Sequence, residues 1–180
     1  MLTGSIPLNA SASSLDKFIQ NFSKAKCVKA EFKQKSYIKL YKIWKTAKGT
    51  VYIKRNTGII YIYSNKKVTG IYKDRLFLFR NGAAPYIKRI SREDPIAFLW
   101  KNSALSQFDI SKKKKGWQFV MKKNPDFRAI VEFNSAGFPI VIKQTDLFGN
   151  ITDFYFDKQE FKCNFSIKRL FENYLEHSGQ

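Results

Sequence analysis

The chain has 180 residues and a mass of 21.0 kDa, the size of one domain with room for a sizeable core. Its 44% apolar and 26% charged residues exclude a disordered or collagen-like chain. Lys and Arg number 33 against 14 Asp and Glu, so the net charge of +19 calls for an anionic partner or surface, unless AT-rich codon usage alone supplied the lysines. The excess is uneven: residues 1–90 hold 19 basic and 3 acidic side chains, whereas residues 91–180 hold 14 and 11.

Residues 1–12 end in Ala10-Ser11-Ala12, a small-x-small pattern of the kind signal peptidase cuts, but carry no basic or apolar stretch ahead of it. They read as the remnant of an export signal or as a disordered arm, and residues 13–180 as a single domain. Ser13 and Ser14 are candidate caps for a helix with Leu15, Phe18, Ile19 and Phe22 at helical spacing. From Val28 to Lys33 the period falls to two, a half-buried strand. Further strands are predicted over Tyr37–Trp44, Gly49–Arg55, Ile59–Tyr63, Lys67–Lys73 and Arg75–Arg80, with Asn and Gly punctuation between them. In the first of these, Tyr37, Tyr41 and Ile43 share one face and Ile38, Leu40 and Trp44 the other, the pattern of a wall covered on both sides.

Asp94-Pro95 opens a short apolar helix through Ile96, Phe98, Leu99 and Trp100, read as buried or ligand-facing. Strands resume at Gln107–Ile110, Gly116–Met121, Phe127–Phe133, Phe138–Asp146 and Ile151–Phe156, and Ile167, Leu170, Phe171, Tyr174 and Leu175 make a C-terminal amphipathic helix. About ten to eleven antiparallel strands with a few short helices define an α+β fold. The expected architecture is an incomplete, half-open antiparallel β-barrel with a lid of short α-helices and a cavity inside.

No stretch of 18 apolar residues is present, so no spanning helix is expected. Nucleotide-binding, protease and hydrolase motifs are missing and no convergent nucleophile or base can be nominated; the protein reads as a non-enzyme without catalytic residues, metal or cofactor. Cys27 and Cys163 lack zinc-type spacing and are either a disulfide in an oxidising compartment or two buried hydrophobes. His177, the sole histidine, is expected to face solvent. Lys112, Lys113, Lys114 and Lys115 form a basic hairpin tip that is either simply solvated or a contact for a membrane or partner. Interleaved lysines and aromatics keep a single-stranded nucleic-acid-binding module as the alternative.

Three short patterns, in order, carry a resemblance over Leu15 to about Phe161. Ala30-Glu31-Phe32-Lys33-Gln34, the hairpin from Gly49 through Lys54-Arg55-Asn56-Thr57-Gly58 to Tyr63, and Asp146-Leu147-Phe148-Gly149-Asn150-Ile151-Thr152 together resemble the bacterial outer-membrane lipoprotein carrier family of the LolA type. The resemblance implies a periplasmic carrier that receives lipoprotein acyl chains from an inner-membrane exporter and passes them to an outer-membrane acceptor; a monomer is expected. Arg55 matches an arginine that holds the lid in that family, and Ile59 takes the place of an aromatic there. With Tyr61, Phe77 and Phe79 before the Asp94-Pro95 helix, Leu99 and Trp100 in it, and Phe119, Phe133 and Phe154 after it, Ile59 completes the expected cavity lining. Asn56 departs from the family's Pro at that position, and the final helix from its C-terminal extension. A periplasmic lipid-sensing domain of the same fold is the remaining alternative.

Overall fold

The computed structural model describes residues 13–24, 26–72, 75–80, 83–89, 102–161 and 164–177. Residues 1–12, the Asp94-Pro95 segment and Cys163 lie outside them. Helix α1 (Ser14–Lys24) begins in a reciprocal cap. The Asp16 amide donates to Ser13 Oγ at 3.2 Å, while the Ser13 hydroxyl and amide donate to Asp16 Oδ2 at 2.7 and 3.2 Å. This satisfies end amides and puts a carboxylate at the positive pole of the helix.

Strand β1 (Cys27–Ile38) leads into one tight turn, Lys39–Tyr41 followed by Lys42 at φ 53°, and β2 (Ile43–Lys54) returns beside it. The predicted strand Tyr37–Trp44 is corrected here: the chain reverses in its middle, setting Tyr37 against Trp44 and Ile38 against Ile43. Apolar residues on two faces mark a turn tip, where the period-two rule has no meaning. The meander continues through β3 (Gly58–Tyr63), β4 (Val68–Tyr72), β5 (Arg75–Arg80) and β6 (Ala83–Arg89). Strand β6 escapes the sequence reading because of Pro85, which an edge strand tolerates.

The second run comprises β7 (Phe108–Lys112), β8 (Trp117–Met121), β9 (Asn124–Phe133), β10 (Pro139–Thr145) and β11 (Ile151–Glu160), followed by helix α2 (Ile167–His177). All eleven strands form one antiparallel sheet in the order β6-β5-β4-β3-β2-β1-β11-β10-β9-β8-β7. Because β6 and β7 are its unpaired edges among the described residues, the sheet is an incomplete barrel with short helices, the architecture expected from the sequence. Strand β1 joins two wings: the basic first half supplies β1–β6, and β11 brings the second wing onto its other side, Phe32 opposite Phe156 and Tyr37 opposite Ile151.

Alternation gives the sheet two apolar faces. On the concave face, Val28, Ala30 and Phe32 of β1 meet Val51 and Ile53 of β2, Ile59 and Tyr61 of β3, Phe119 of β8, Ala129 and Val131 of β9, and Phe154 and Phe156 of β11. On the outer face a smaller cluster of Ile60, Val68, Phe77 and Phe79 is covered by Ile167, Leu170, Phe171 and Tyr174 of α2. Phe171 packs edge-on against Phe77, ring centres 4.9 Å apart, an arrangement that adds to simple area burial. The Tyr174 phenol, half-covered here, is raised above its usual pKa first by this burial and then by Tyr52.

Cys27, fully buried at the start of β1, is disulfide-bonded; the chain's other cysteine is Cys163. The register Lys29 opposite Glu160 brings the start of β1 beside the chain leaving β11. A bond closing so long a loop constrains the unfolded chain strongly. Reduction is expected to lower stability by about 2–5 kcal/mol. Urea midpoints with and without reductant measure this, and coincident curves would show that the bond contributes nothing.

Candidate functional site

The concave face runs from an apolar end to a polar one. Its deep part is built by Phe119, Ile59, Tyr61 and Phe154, all buried, with the Phe32 ring edge-on to Tyr61 at 5.8 Å and tilted against Phe154 at 6.2 Å. Nearer the turns that join β1 to β2 and β10 to β11, the same inward positions become polar. There Tyr63 donates to Gln34 Oε1 at 3.3 Å, Gln34 Nε2 donates to Ser36 Oγ at 2.9 Å, and Ser36 and Thr152 share a hydroxyl bond of 3.3 Å. Between the two zones lies an opening of about 170 Å³ lined by Tyr61, Tyr63, Thr69, Leu76, Gln144 and Phe154. Gln144 Oε1 is buried there without a hydrogen-bond partner among the described residues.

Pockets for drug-sized ligands run to roughly 300–1,000 Å³. The concave face among the described residues is therefore mostly filled by its own side chains, and a long ligand needs it to open. Helix α1 is the element placed to do so. Only Leu15 of its described side chains is buried, with Ile19 packing partly beneath. Among its described side chains, the polar ties to the sheet include three exposed or half-exposed ones: Asn21 Nδ2 to the Ala136 carbonyl at 2.6 Å, Lys17 Nζ to the Ser135 carbonyl at 3.4 Å, and Trp117 Nε1 to Ser14 Oγ at 3.5 Å. Exposed bonds of this kind each contribute about 1 kcal/mol net.

The structure brings Ile59, Tyr61, Phe119, Phe133 and Phe154 of the expected lining together on the concave face, Phe133 at its margin. Phe77 and Phe79 are corrected: both lie on the outer face beneath α2. Gly70 opposite Phe77 and Val68 opposite Phe79 show why, since β4 presents these positions outward and only Thr69 and Ile71 inward. Leu99 and Trp100 lie outside the described residues. The expected lining left out Phe32, Val51 and Ile142, although their parity marked them, and the sequence reading missed the polar row altogether, which nothing but register assembles.

Arg55 sits in the β2–β3 turn, where its amide donates to the Lys26 carbonyl at 3.0 Å, at the link between α1 and β1. Asn56 beside it has φ 56°, a left-handed conformation closed to proline, so the departure from the family pattern is a change of turn geometry. Lys112, Lys113, Lys114 and Lys115 are exposed at the β7–β8 turn, with the Lys113 amide on the Gly116 carbonyl at 3.0 Å. No group of three His, Cys, Asp or Glu side chains suited to a metal occurs among the described residues.

Charge gathers at the polar end. Lys67 lies over the Tyr63 ring at 5.0 Å and is held below the usual lysine pKa, first by burial and then by repulsion from Arg80 and Lys45. On the outer face, Lys158 and Glu31 pair at 3.0 Å, an exposed hydrogen bond that raises the lysine. Two adjoining outer hollows of about 580 and 570 Å³ share Lys33, Lys48, Ser64 and Tyr155. No described helix is long and apolar enough to cross a membrane.

Neither a protein-family model nor a curated protein sequence matches the chain. Its fold does match solved structures. A LolA superfamily protein from Nitrosomonas europaea aligns over 88% of this chain and 95% of its own with a TM-score of 0.53 at 8% identity. A domain of a putative outer membrane lipoprotein-sorting protein from Vibrio parahaemolyticus aligns over 90% and 97%, TM-score 0.48, at 11% identity. The lipoprotein LppX of Mycobacterium tuberculosis aligns over 85% and 96%, TM-score 0.47, at 8% identity. The likeness to the Nitrosomonas protein is one of fold alone, and the fold here is an open antiparallel half-barrel. At this identity the likeness transfers architecture and no individual site residue.

Proposed function

We propose that the protein is a non-catalytic periplasmic carrier that shields the acyl chain of a lipid or lipoprotein on its concave face and moves it from an inner-membrane exporter to an outer-membrane acceptor. One observation carries the binding part of this reading: an apolar concave face grades into the polar row Tyr63, Gln34, Ser36 and Thr152, under a helix with one buried described anchor, Leu15. An amphipathic ligand has the same polarity, chain inward and head group toward the row. The fold shared with the Nitrosomonas protein and the sequence resemblance support the transport part.

The energetics fit a carrier. A sixteen-carbon chain in water costs on the order of 10 kcal/mol, at about 0.8 kcal/mol per methylene, so transit needs a shield. Release needs a gate that opens for far less, and we assign that part to α1. We assign Arg55 a gating role from its matched position and its place at the root of α1.

The test is native mass spectrometry of protein incubated with lipidated peptide, expected to show a one-to-one adduct that the unlipidated peptide does not form. Arg55→Leu is expected to stay folded and keep the adduct while handing it to acceptor vesicles several-fold more slowly. Absence of the adduct sinks the carrier reading; handoff at the wild-type rate sinks only the gate.

A further inference from the structure

Two neighbouring turns at one end of the half-barrel carry a patch that cargo binding does not use. The β1–β2 turn exposes Leu40 (81%) and Tyr41 and leads into exposed Trp44; the β10–β11 turn exposes Leu147 and Phe148 (79%). Single exposed apolar residues are ordinary, but a contiguous group is not. The two turns are adjacent because β1 pairs with β11, and they are bonded: the Lys39 amide donates to Asn150 Oδ1 at 3.0 Å.

The patch is built rigidly. Asp146 Oδ1 accepts from the Phe148 and Asn150 amides at 2.9 Å each, and its Oδ2 accepts from Asn150 Nδ2 at 2.8 Å. Gly149, at φ 75°, lets the turn close against the Lys39 side chain, which a Cβ there would meet at 3.0 Å. Trp44 is held between the Tyr37 ring, 5.1 Å away, and Lys35 Nζ, 4.5 Å from its centre.

Its charge is mainly positive. Residues 33–48 contain Lys33, Lys35, Lys39, Lys42, Lys45 and Lys48 and no Asp or Glu; the Asp146 carboxylate is taken up inside its own turn, and Asp153 stands between Lys35 and Lys143 in the ladder. Aromatic and aliphatic tips ringed by lysines match the composition that seats a surface at the boundary of an anionic bilayer. A phosphate backbone would use the lysines but leave Leu40 and Leu147 in water.

We propose that this two-turn tip is a docking surface for anionic lipid bilayers: Leu40, Tyr41, Trp44 and Phe148 enter the headgroup region while the flanking lysines face lipid phosphates. It stands at the same end of the sheet as the polar row, so docking presents the concave face to the membrane. The Lys112–Lys115 turn emerges from the opposite ends of the strands and is not part of it. Docking does not depend on the cargo reading, since the side chains it uses are exposed on the two turns and are not part of the concave lining.

Flotation with phosphatidylcholine vesicles, with and without phosphatidylglycerol, tests the proposal. Wild-type protein is expected to float with the anionic vesicles and to detach as salt rises. Lys39→Gln with Lys42→Gln should weaken binding by about tenfold or more at low salt, given the worth of each lysine near such a surface. Leu40→Ser with Phe148→Ser should release the protein even at low salt, and Lys112–Lys115 all changed to Gln should bind as wild type. Brominated anionic lipid should quench wild-type tryptophan emission more than that of Trp44→Phe, a reading that needs no variant with disturbed turns. Folded tip variants that float like wild type, equal floating with neutral vesicles, a loss caused by the Lys112–Lys115 changes, or preference for single-stranded DNA over vesicles would each overturn it.

Discussion

Gly70→Val is expected to remove a large fraction of the folding stability. Gly70 lies in the middle of β4, buried, facing outward beneath α2. A Cβ at this position would run into the Ile59 carbonyl oxygen and meet Phe77 Cζ at 2.8 Å and Ile60 Cα at 2.9 Å. Two of these three atoms are backbone of β3, which cannot retreat without giving up the β3–β4 ladder. The third belongs to a ring wedged between Phe79 and Phe171. Overpacking usually costs about 1–3 kcal/mol, and a collision with a paired backbone lies at or beyond the top of that range. Against a total stability of about 5–15 kcal/mol, a loss of about 3 kcal/mol or more is a large fraction. Urea unfolding followed by tryptophan fluorescence measures it; a midpoint close to wild type would show that β3 and β4 can separate locally.

Leu76→Trp is expected to weaken acyl-chain uptake strongly and leave the protein folded. Leu76 is half-buried on β5 opposite Ile71 and lines the opening of about 170 Å³ with Tyr61, Tyr63 and Phe154. An indole placed there fills the space through which a chain would reach Ile59 and Phe119. Because it grows into a void rather than into packed atoms, the expense in stability is below about 1.5 kcal/mol. Titration with a fluorescent fatty acid should show affinity reduced by more than about tenfold, equivalent to 1.4 kcal/mol. A folded variant that binds as wild type would move the ligand off the concave face, to the outer hollows beside Lys33 and Lys48.

The chain's local chemistry was legible wherever one period ran without interruption. The Ser13–Asp16 cap, the alternation of Val28, Ala30 and Phe32, and the apolar spacing from Ile167 to Leu175 each fixed an element, and the count of strands fixed an open antiparallel barrel. The misreadings share a cause. The apolar run from Tyr37 to Trp44 has the composition of a strand but is two strand ends and a tip, and β6 hides behind Pro85. A hairpin tip carries no burial pattern of its own, so composition there reports what the tip touches rather than how the chain runs.

The candidate site divides in the same way. Sequence parity alone placed Ile59 and Tyr61 together, because residues two apart on a strand must share a face. It had no means of telling which face of β5 would be concave: Phe77 and Phe79 share a side, but α2, nearly ninety residues later, is what covers it. The polar row from Tyr63 to Thr152 and the patch joining Leu40 to Phe148 both depend on β11 closing against β1. Short-range periodicity is written in neighbouring residues and needs no fold to be read. Register between strands separated by more than a hundred residues is settled only when the whole sheet forms, and at this protein that register decides where cargo and membrane would meet it.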